Sequence, residues 1–308
     1  MSDPITPTGT YVVISPCRNE AQYMRRTLAS MVGQSIPPTQ WVIVDDGSTD
    51  ETPEILAEYI ARHDWIRLVK KPDRGHRAVG PGVIEAFYVG LETVDLENFD
   101  FLCKLDLDLD LPKRYFEILM TRMMENPRIG TASGKPYMRV GGQLVSERRG
   151  DEMSVGMTKF YRVTCFQSIG GFAREVMWDA IDCHKARQLG WTAISWDDPE
   201  LRFEHLRPMG SSQAGIHTGR RRHGFGQYYM GSYFPYFLAT CLFRMSEPPY
   251  ITGGVSMLWG YLKAWAKGED QHDDAELRSF IRAYQRRALM VGRARAVAEI
   301  EARVTPAA

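Results

Sequence analysis

Asp106, Asp108 and Asp110 alternate with leucines directly after the apolar run Phe99–Leu105. If the alternation continues a strand, the three carboxylates share one face and the leucines the other. Neighbouring carboxylates repel one another unless water or a cation relieves the repulsion. Mg²⁺ and Mn²⁺ prefer oxygen ligands and commonly join a protein carboxylate to the phosphates of a substrate. The segment therefore predicts a divalent-cation site, against the alternative of a solvated polar strand end.

Two further polar clusters follow apolar runs. Tyr11–Ser15 is followed by Pro16–Glu20, and Trp41–Val44 is followed by Asp45–Ser48. Two adjacent carboxylates at the end of a strand suit hydrogen bonds to a nucleoside base or a ribose. The alternative is a purely structural turn, because Asp-Gly-Ser is a common turn sequence and Ser48 could simply cap the next helix.

Charged residues farther along the chain are candidates for other roles. Arg74 and Arg77 could neutralise a diphosphate through charge-assisted hydrogen bonds, although a solvated loop is the alternative. Asp179 opens a helical segment, where it is either a charge favoured by the helix dipole or a base that takes a proton from an acceptor hydroxyl. His205 follows a strand-like run and could be a further metal ligand, although a lone histidine is more often structural.

Strand-like and helix-like segments alternate along the first two thirds of the chain and must position these residues. The strand-like runs are Tyr11–Ser15, Trp41–Val44, Ile66–Val69, Phe99–Leu105, strands around the Gly141-Gly142 turn within Ile129–Val145, and Thr192–Trp196. The helical segments are Glu20–Gln34, Thr52–Arg62, Gly82–Thr93, Lys113–Glu125, Met157–Ser168 and Asp179–Leu189. The alternation predicts an α/β fold with a mostly parallel sheet and helices on both faces. Right-handed crossovers bring the carboxyl ends of parallel strands to one edge, where such sheets bind ligands, so the polar clusters should converge there.

The character of the chain changes after about residue 208. Gly210–Gly226 is rich in Gly, Ser and Arg, which predicts a mobile loop. Tyr228–Phe243 is densely aromatic and Val255–Ala266 is amphipathic. These two segments are either core helices or interfacial segments that dock on lipid, since aromatic rings favour the headgroup zone and arginines favour anionic lipids. Gln271–Arg303 predicts a charged amphipathic helix or a pair of helices.

Composition excludes several classes of protein. The 308 residues include 38 basic and 38 acidic ones, so net charge gives no reason to expect a nucleic acid as partner. Five cysteines without paired spacing suit a reducing compartment better than a disulfide framework. The first residues do not resemble a signal peptide, and no run reaches about 18 apolar residues. We therefore expect a cytoplasmic protein, with peripheral contact at the inner face of the plasma membrane through residues 220–268 as an additional possibility.

In their order and spacing, these clusters resemble glycosyltransferase family 2, an inverting group with the GT-A fold. The matching elements are Pro16–Glu20, Asp45–Asp50, the D-x-D pair at Asp106–Asp108, the Gly170-Gly171-Phe172 turn, and Asp179 eleven residues before Gly190. The resemblance implies a GT-A catalytic domain over roughly residues 10–207. Residues 10–112 would form its nucleotide-sugar-binding half and 113–207 its acceptor half. A C-terminal aromatic and amphipathic helical extension would follow over 208–308.

The resemblance also implies roles for the residues of the nucleotide-binding half. Pro16, Arg18 and Glu20 would line the nucleotide pocket, with Asp46 at the base and Asp45 nearby. Arg74 and Arg77 remain candidates for contact with the diphosphate.

The metal site would be built on the D-x-D pair. Asp106 would contact the donor and the metal, and Asp108 would be the more direct metal ligand. His205 would lie where some family members place a histidine that binds the metal or contacts the diphosphate. Asp110 lies outside the basic motif and has no assigned role.

Asp179 would correspond to the catalytic base. The family usually has a glutamate immediately before the base, where this chain has Trp178. Asp182 lies three residues later on the same helix face, so both aspartates remain candidates.

The implied function is transfer of a sugar, with inversion, from a nucleotide-diphospho-sugar to an acceptor hydroxyl. A UDP-sugar is expected ahead of a GDP- or TDP-sugar, Mg²⁺ or Mn²⁺ is the expected cofactor, and the acceptor would be a glycan or a lipid-linked molecule. Polysaccharide, glycolipid or cell-envelope glycan synthesis is the expected setting.

Other functions fit the sequence less well. A nucleotidyltransferase would usually carry a glycine-rich loop after the first strand, and Ser15–Glu20 has no glycine. A non-catalytic protein that binds sugar nucleotides or assembles a complex would not need candidates for both metal and base. A dinucleotide-dependent dehydrogenase is disfavoured because no G-x-G-x-x-G follows the first strand.

Overall fold

The structure, a computed structural model, describes residues 9–73, 75, 80–207 and 215–303. Two compact units divide the chain. The first takes in residues up to 78 together with 82–171 and 191–207, and the second takes in 79–81, 172–190 and 208 onward. Residues 172–190 thus group with the C-terminal part, whereas the sequence analysis assigned them to the catalytic domain. The predicted domains are functional divisions, and they remain predictions.

A seven-stranded sheet forms the centre of the first unit. Its strands are β1 (Tyr11–Cys17), β2 (Gln40–Asp45), β3 (Ile66–Lys70), β4 (Phe101–Leu105), β6 (Ile129–Ser133), β9 (Thr158–Arg162) and β10 (Thr192–Ser195). The spatial order is β10-β6-β9-β4-β1-β2-β3, and β1, β2, β3 and β4 run parallel, whereas β9 is antiparallel to both neighbours. The predicted parallel-rich α/β sheet is confirmed. The carboxyl ends of β1 to β4 therefore meet at one edge.

The strands at the centre of the sheet are apolar on both faces, as expected for strands covered on both sides. Val12, Val13 and Ile14 of β1 are fully buried. The helices of this unit are α1 (Met24–Val32), α2 (Thr52–Ile60), α3 (Pro81–Leu91), α4 (Tyr115–Glu125) and α5 (Val163–Ser168). A Cβ atom at Gly90 of α3 would lie 2.8 Å from Ile14 Cγ2, so this glycine lets the α3 backbone pack directly on the sheet.

The prediction of one helix over Met157–Ser168 was wrong. Thr158–Arg162 forms strand β9, and only Val163–Ser168 is helical. Phe160 and Tyr161 are fully buried, and β9 pairs with β4 on one side and β6 on the other. Pairing on both edges stabilises the extended conformation of this β-branched and aromatic segment, and local helical periodicity could not reveal these partners.

A second sheet carries the residues that follow β4. Its strands are β5 (Leu109–Asp110), β7 (Lys135–Val140), β8 (Gln143–Ser146) and β11 (Arg202–His205), in the order β5-β11-β7-β8. The aspartate run does not continue β4, because the chain bends after Leu105 and enters this sheet at Leu109. Leu107 and Leu109 are nevertheless buried and the aspartates partly exposed. The alternation of burial was predicted correctly, although the single continuous strand was not.

In the described ranges, the second unit is helical. Its helices are α6 (Trp178–Gln188), α7 (Ile216–Tyr229), α8 (Phe234–Met245), α9 (Thr252–Lys267), α10 (Ala275–Val291) and α11 (Arg293–Glu301). The predicted C-terminal helical part is confirmed. Gln271–Arg303 forms the helix pair α10 and α11, joined at Gly292 with φ 84°. No helix within these ranges has both the length and the apolar character that crossing a membrane requires.

The prediction of a mobile loop over Gly210–Gly226 was wrong for its described part. Residues 210–214 lie outside the described residues, and Ile216 begins α7. A Cβ atom at Gly224 would lie 1.9 Å from the carbonyl oxygen of Met257, and one at Gly260 would lie 2.0 Å from that of Arg221. The glycines therefore allow the backbones of α7 and α9 to come into direct contact where the helices cross. From composition alone, the glycines of α7 had been interpreted as a sign of flexibility.

Candidate functional site

Arg18 ties together the loops that follow β1, β2 and β3. Its Nη1 donates to the backbone carbonyl of Asp46, and its Nη2 donates to Asp73 Oδ1 at 2.6 Å. The amide of Asn19 donates to Ser48 Oγ at 3.0 Å. Because these contacts join three strand ends, the loops form one ordered edge of the sheet, as the sequence predicted.

The two adjacent aspartates after β2 have different surroundings. Asp45 Oδ1 accepts a hydrogen bond from the Ser48 amide at 2.9 Å. This bond belongs to the turn that the sequence analysis gave as the structural alternative to nucleotide binding. Asp46 Oδ1 lies 3.1 Å from Lys71 Nζ. Pro16 lies in β1 opposite Val44 of β2. Arg74 and Arg77 lie outside the described residues.

Gly47 supports this loop in a conformation that other residues rarely adopt. Its φ is 75°, and a Cβ atom there would lie 2.5 Å from Asp73 Cα. We expect Gly47→Ala to lower the free energy of unfolding by about 1–3 kcal/mol, since it combines backbone strain with a backbone clash. Urea unfolding measures this change. Gly75→Ala is the matched control because Gly75 has φ 77° and a Cβ atom there would meet no described atom within 4 Å. Equal destabilisation by the two variants would show that the clash contributes nothing.

Asp106 has a buried lysine as its neighbour. The Lys104 ammonium, 2% exposed, donates to Asp106 Oδ1 and to the Gly156 carbonyl. Burial raises the pKa of Asp106, and the Lys104 charge opposes that shift only in part. The lysine thereby fixes the direction of the Asp106 side chain at the end of β4.

Asp108 lies between two basic side chains. Arg207 Nε donates to Asp108 Oδ2 at 2.9 Å, and His205 Nε2 lies 3.8 Å from the same oxygen. Burial would raise the pKa of Asp108, but His205 and Arg207 outweigh it and hold the pKa below its ordinary value. Asp108 is therefore an ionised carboxylate at neutral pH.

The second sheet brings His205 to Asp108, as the backbone of His205 pairs with Leu109 across β11 and β5. On its other side, His205 Nδ1 lies 2.7 Å from Glu147 Oε1, and this glutamate side chain is only 2% exposed. Burial lowers the pKa of His205, but the contacts with Asp108 and Glu147 raise it to about 9 overall. Glu147 holds Nδ1, so Nε2 faces Asp108.

Arg207 connects this cluster to the loop after β1. Its Nη2 donates to Glu20 Oε2, while its Nε donates to Asp108. Its guanidinium lies over the Tyr23 ring at 4.9 Å. Arg207 thus pairs with both Glu20, which was predicted to line the nucleotide pocket, and Asp108, which was predicted to bind the metal.

Asp110 belongs to a different network. Its carboxylate pairs with Arg26 of α1 at 2.5 Å, and Arg26 also contacts Glu204 of β11 at 3.1 Å. These contacts hold α1 to the second sheet, which supplies a structural role for the aspartate that the sequence left unassigned.

Three residues of this cluster, Lys104, Arg207 and Glu147, were not predicted from the sequence as site residues. Lys104 interrupts an otherwise apolar strand, and Arg207 lies two residues after His205. Both patterns were available as signals. Glu147 had none, because it comes from a polar segment after β8 and reaches His205 only through the pairing of β7 with β11.

The residues present fit a divalent cation. Asp108 Oδ1 is buried and, among the described residues, has no hydrogen-bond partner. Carboxylate oxygen and imidazole nitrogen are both ligands that Mn²⁺ accepts, the imidazole once Nε2 has released its proton, and Mg²⁺ prefers the oxygen. Over the described ranges no group of three or more His, Cys, Asp or Glu side chains forms a complete metal cage. Such an incomplete set is typical of sites where substrate phosphates and water supply the remaining ligands.

The two candidate bases lie in the second unit, on α6. Asp179 is in the first turn and is partly exposed, whereas Asp182 is 1% exposed. The amide of Cys183 lies 2.6 Å from Asp182 Oδ1.

Comparison with known proteins adds two kinds of similarity. Poly-β-1,6-N-acetyl-D-glucosamine synthase of Staphylococcus epidermidis is 28% identical over 124 residues, which is 40% of this chain and 27% of that protein. Chondroitin synthase of Escherichia coli is 32% identical over 90 residues, 28% of this chain and 12% of that protein. The chain thus matches about a quarter or less of the length of these relatives.

Two solved structures share the fold. The mannosyltransferase PcManGT of Pyrobaculum calidifontis, in complex with GDP-Man and Mn²⁺, is 18% identical with a TM-score of 0.52, covering 96% of this chain and 87% of that one. S. aureus TarS 1-349 with UDP-GlcNAc is 14% identical with a TM-score of 0.52, covering 95% and 89%. The GT-A fold predicted from the sequence is confirmed.

The family profile described as glycosyl transferase family 2 matches residues 12–176, which span β1 to β4, the aspartate run and the turn after α5. This match covers more than half of the chain and includes the elements on which the resemblance was first based, except Asp179 and Gly190, which follow residue 176. The chain belongs to glycosyl transferase family 2.

Proposed function

We propose that this protein is an inverting glycosyltransferase that moves a sugar from a nucleotide-diphospho-sugar to an acceptor hydroxyl. The observation that carries the proposal is the cluster of Asp108, His205 and Arg207 at the carboxyl edge of the sheet. This cluster presents a buried carboxylate oxygen without a hydrogen-bond partner among the described residues. Through Glu20 it joins the loops that we assign to the nucleotide.

The donor would lie along this edge with its two ends recognised by different loops. Arg18, Asp45 and Asp46 would bind the base and ribose, and Arg207 would neutralise the diphosphate with charge-assisted hydrogen bonds. Arg74 and Arg77 remain candidates for the same charge. Structures with this fold have been solved with UDP-GlcNAc and with GDP-Man, which supports a nucleotide-sugar donor. We favour a UDP-sugar.

Asp108 and His205 would hold Mg²⁺ or Mn²⁺, with Asp106 beside them. When bound, the cation would stabilise the negative charge that grows on the departing nucleoside diphosphate. Lys104 would hold Asp106 in place, and Glu147 would keep His205 Nε2 turned toward Asp108. The mannosyltransferase PcManGT, which shares the fold, was solved with Mn²⁺, which supports a divalent cofactor.

Asp179 would take the proton from the acceptor hydroxyl. Its partial exposure in the first turn of α6 supports this role, because a general base must reach its substrate through solvent-accessible space. Asp182 is enclosed and is the second candidate. Attack from the face opposite the leaving group inverts the anomeric carbon, so an α-linked donor would yield a β-linked product.

The acceptor would be a glycan or a lipid-linked molecule in polysaccharide or cell-envelope synthesis. The partial matches to poly-β-1,6-N-acetyl-D-glucosamine synthase and chondroitin synthase support this class of product.

The proposal is tested by a thermal-shift screen of UDP-, GDP- and TDP-sugars with and without Mn²⁺. A donor at a hundred times its Kd stabilises the native state by about 2.7 kcal/mol, which gives a measurable rise in Tm. Release of the nucleoside diphosphate, followed by NMR of the anomeric configuration, then identifies the reaction. We expect a UDP-sugar to shift the Tm in the presence of Mn²⁺. Binding without any release of nucleoside diphosphate would favour a non-catalytic protein. Formation of nucleoside triphosphate and sugar 1-phosphate from the donor when pyrophosphate is added would favour a nucleotidyltransferase.

Glu147 gives a separate prediction about the metal. We expect Glu147→Ala to weaken Mn²⁺ binding by about 10- to 100-fold, because a ligand histidine loses its orientation when its second nitrogen loses its acceptor. Glu147→Gln keeps an acceptor oxygen, so its loss of Mn²⁺ affinity should be smaller. Titration of Mn²⁺ in the presence of UDP, followed by EPR of the free ion, measures both.

The control places Glu147→Ala in a His205→Ala background. If the glutamate acts through the histidine, it adds no further loss of Mn²⁺ affinity there. A loss of the same size in both backgrounds would contradict a positioning role.

A further inference from the structure

Helices α8 and α9 and the turn between them carry a cluster of exposed apolar side chains. Leu242 and Phe243 of α8, Ile251 in the turn, and Val255, Trp259 and Trp265 of α9 are each between 50% and 66% exposed. We call these six residues the α8–α9 apolar surface. Side chains of this size are costly to leave in water, so such a cluster usually marks a surface that something else covers.

The two helices are apolar on their buried sides as well. Phe237 and Cys241 of α8 and Met257 of α9 form a buried cluster, and the Phe237 and Tyr261 rings stack at 4.8 Å. These helices therefore contribute both to the core and to an outward apolar face.

The outward face of α9 is a continuous stripe. Val255, Trp259, Leu262 and Ala266 are exposed at intervals of four, three and four residues, which places them along one side of the helix. A soluble helix normally presents charged and polar side chains on this side. Here the outward side would lie in an apolar or interfacial environment.

The charges around this surface are mostly basic. Lys263 and Lys267 of α9 and Arg221 of α7 are exposed. Between Phe234 and Lys267, Glu247 is the sole acidic residue, and it pairs with Arg244. Acidic residues resume at Glu269, after α9 has ended at Gly268 with φ 64°. Cations that border an apolar stripe complement an anionic surface.

We propose that the α8–α9 apolar surface lies on an anionic lipid bilayer. Trp259, Trp265 and the exposed Tyr250 would enter the headgroup region, where the amphipathic rings of Trp and Tyr are favoured. Lys263 would contact anionic lipid, and so would Lys267, whose Nζ lies 3.7 Å from Glu269 Oε1 in the free protein. The helices would lie on the bilayer rather than cross it, in agreement with the absence of a helix able to span it from the described ranges. The inference does not depend on the proposed sugar transfer.

Flotation of the full chain with vesicles tests the proposal. We compare vesicles of phosphatidylcholine alone with vesicles that contain 30% phosphatidylglycerol. Since affinity scales with buried apolar area, Trp259→Ala combined with Trp265→Ala should weaken binding to the anionic vesicles by about tenfold or more. Lys263→Glu combined with Lys267→Glu should abolish the preference for anionic vesicles.

The matched control is Leu144→Ala combined with Val145→Ala on β8, where two apolar side chains are also nearly half exposed. This pair should leave vesicle binding unchanged. Trp259→Phe combined with Trp265→Phe guards against misfolding, since it should keep most of the binding but lose the vesicle-induced blue shift of tryptophan emission. Circular dichroism confirms the helical content of each variant.

Two results would overturn the proposal. The first is equal flotation of the parent chain and the Trp→Ala pair, including the case in which neither binds vesicles. The second is a dimer, seen by analytical ultracentrifugation, that the Trp→Ala pair dissociates while vesicles bind neither form. That outcome would assign the surface to a second copy of the chain.

Discussion

Asp108→Ala is expected to lower the rate of sugar transfer by at least about 10³-fold, because it removes the carboxylate that would hold the cation that stabilises the departing diphosphate. The fold should survive the change. Arg207 keeps its contact with Glu20, and His205 keeps its contact with Glu147. The measurement is release of nucleoside diphosphate at saturating Mn²⁺, with the Tm as a check on folding.

Asp110→Ala is the matched control for Asp108→Ala. Asp110 comes from the same run of aspartates but pairs with Arg26, outside the proposed site. We expect it to keep the transfer rate and to lose only the small stability of a half-exposed ion pair. Transfer near the parent rate in Asp108→Ala, or an equal loss in both variants, would contradict the assignment of the metal.

Asp179→Asn is expected to lower kcat by about 10²- to 10⁴-fold, since the acceptor hydroxyl loses its proton acceptor while the shape of the side chain is retained. Donor binding should be unaffected, because the residues that we assign to the nucleotide lie on other elements. The donor-induced rise in Tm and the kcat, measured on the same preparation, separate the two effects.

Asp182→Asn is the comparison for the base. Asp182 is enclosed, so its replacement should change stability more than turnover. If Asp182→Asn loses turnover at unchanged Tm while Asp179→Asn does not, then Asp182 is the base. Full turnover in both variants would remove both candidates.

The secondary-structure elements that were predicted correctly are those whose sequence signal lies within one short segment. Tyr11–Cys17 and Gln40–Asp45 are apolar runs that end in polar residues, and both became central strands with their polar ends at one edge. The errors arose where distant segments decide the local conformation. Thr158–Arg162 became a strand between two partners. The glycines of α7 permit close crossing with α9 instead of providing flexibility.

The aspartate run illustrates the same division. Its alternation by itself determined which side chains face inward, because burial of leucines follows from hydrophobicity at any strand-like spacing. It also placed carboxylates, which are oxygen ligands of the kind that divalent cations prefer, after β4. It could not separate the roles of the three aspartates, since all have the same side chain and the same neighbours in sequence.

Only the tertiary structure separated them. Asp106 is paired with the buried Lys104, Asp108 lies between His205 and Arg207, and Asp110 is tied to α1 through Arg26. His205 and Arg207 are almost one hundred residues away from Asp108 along the chain. The second sheet holds Glu147 beside His205. Electrostatic effects depend on distance in space and on burial, and neither quantity is written in the order of the residues.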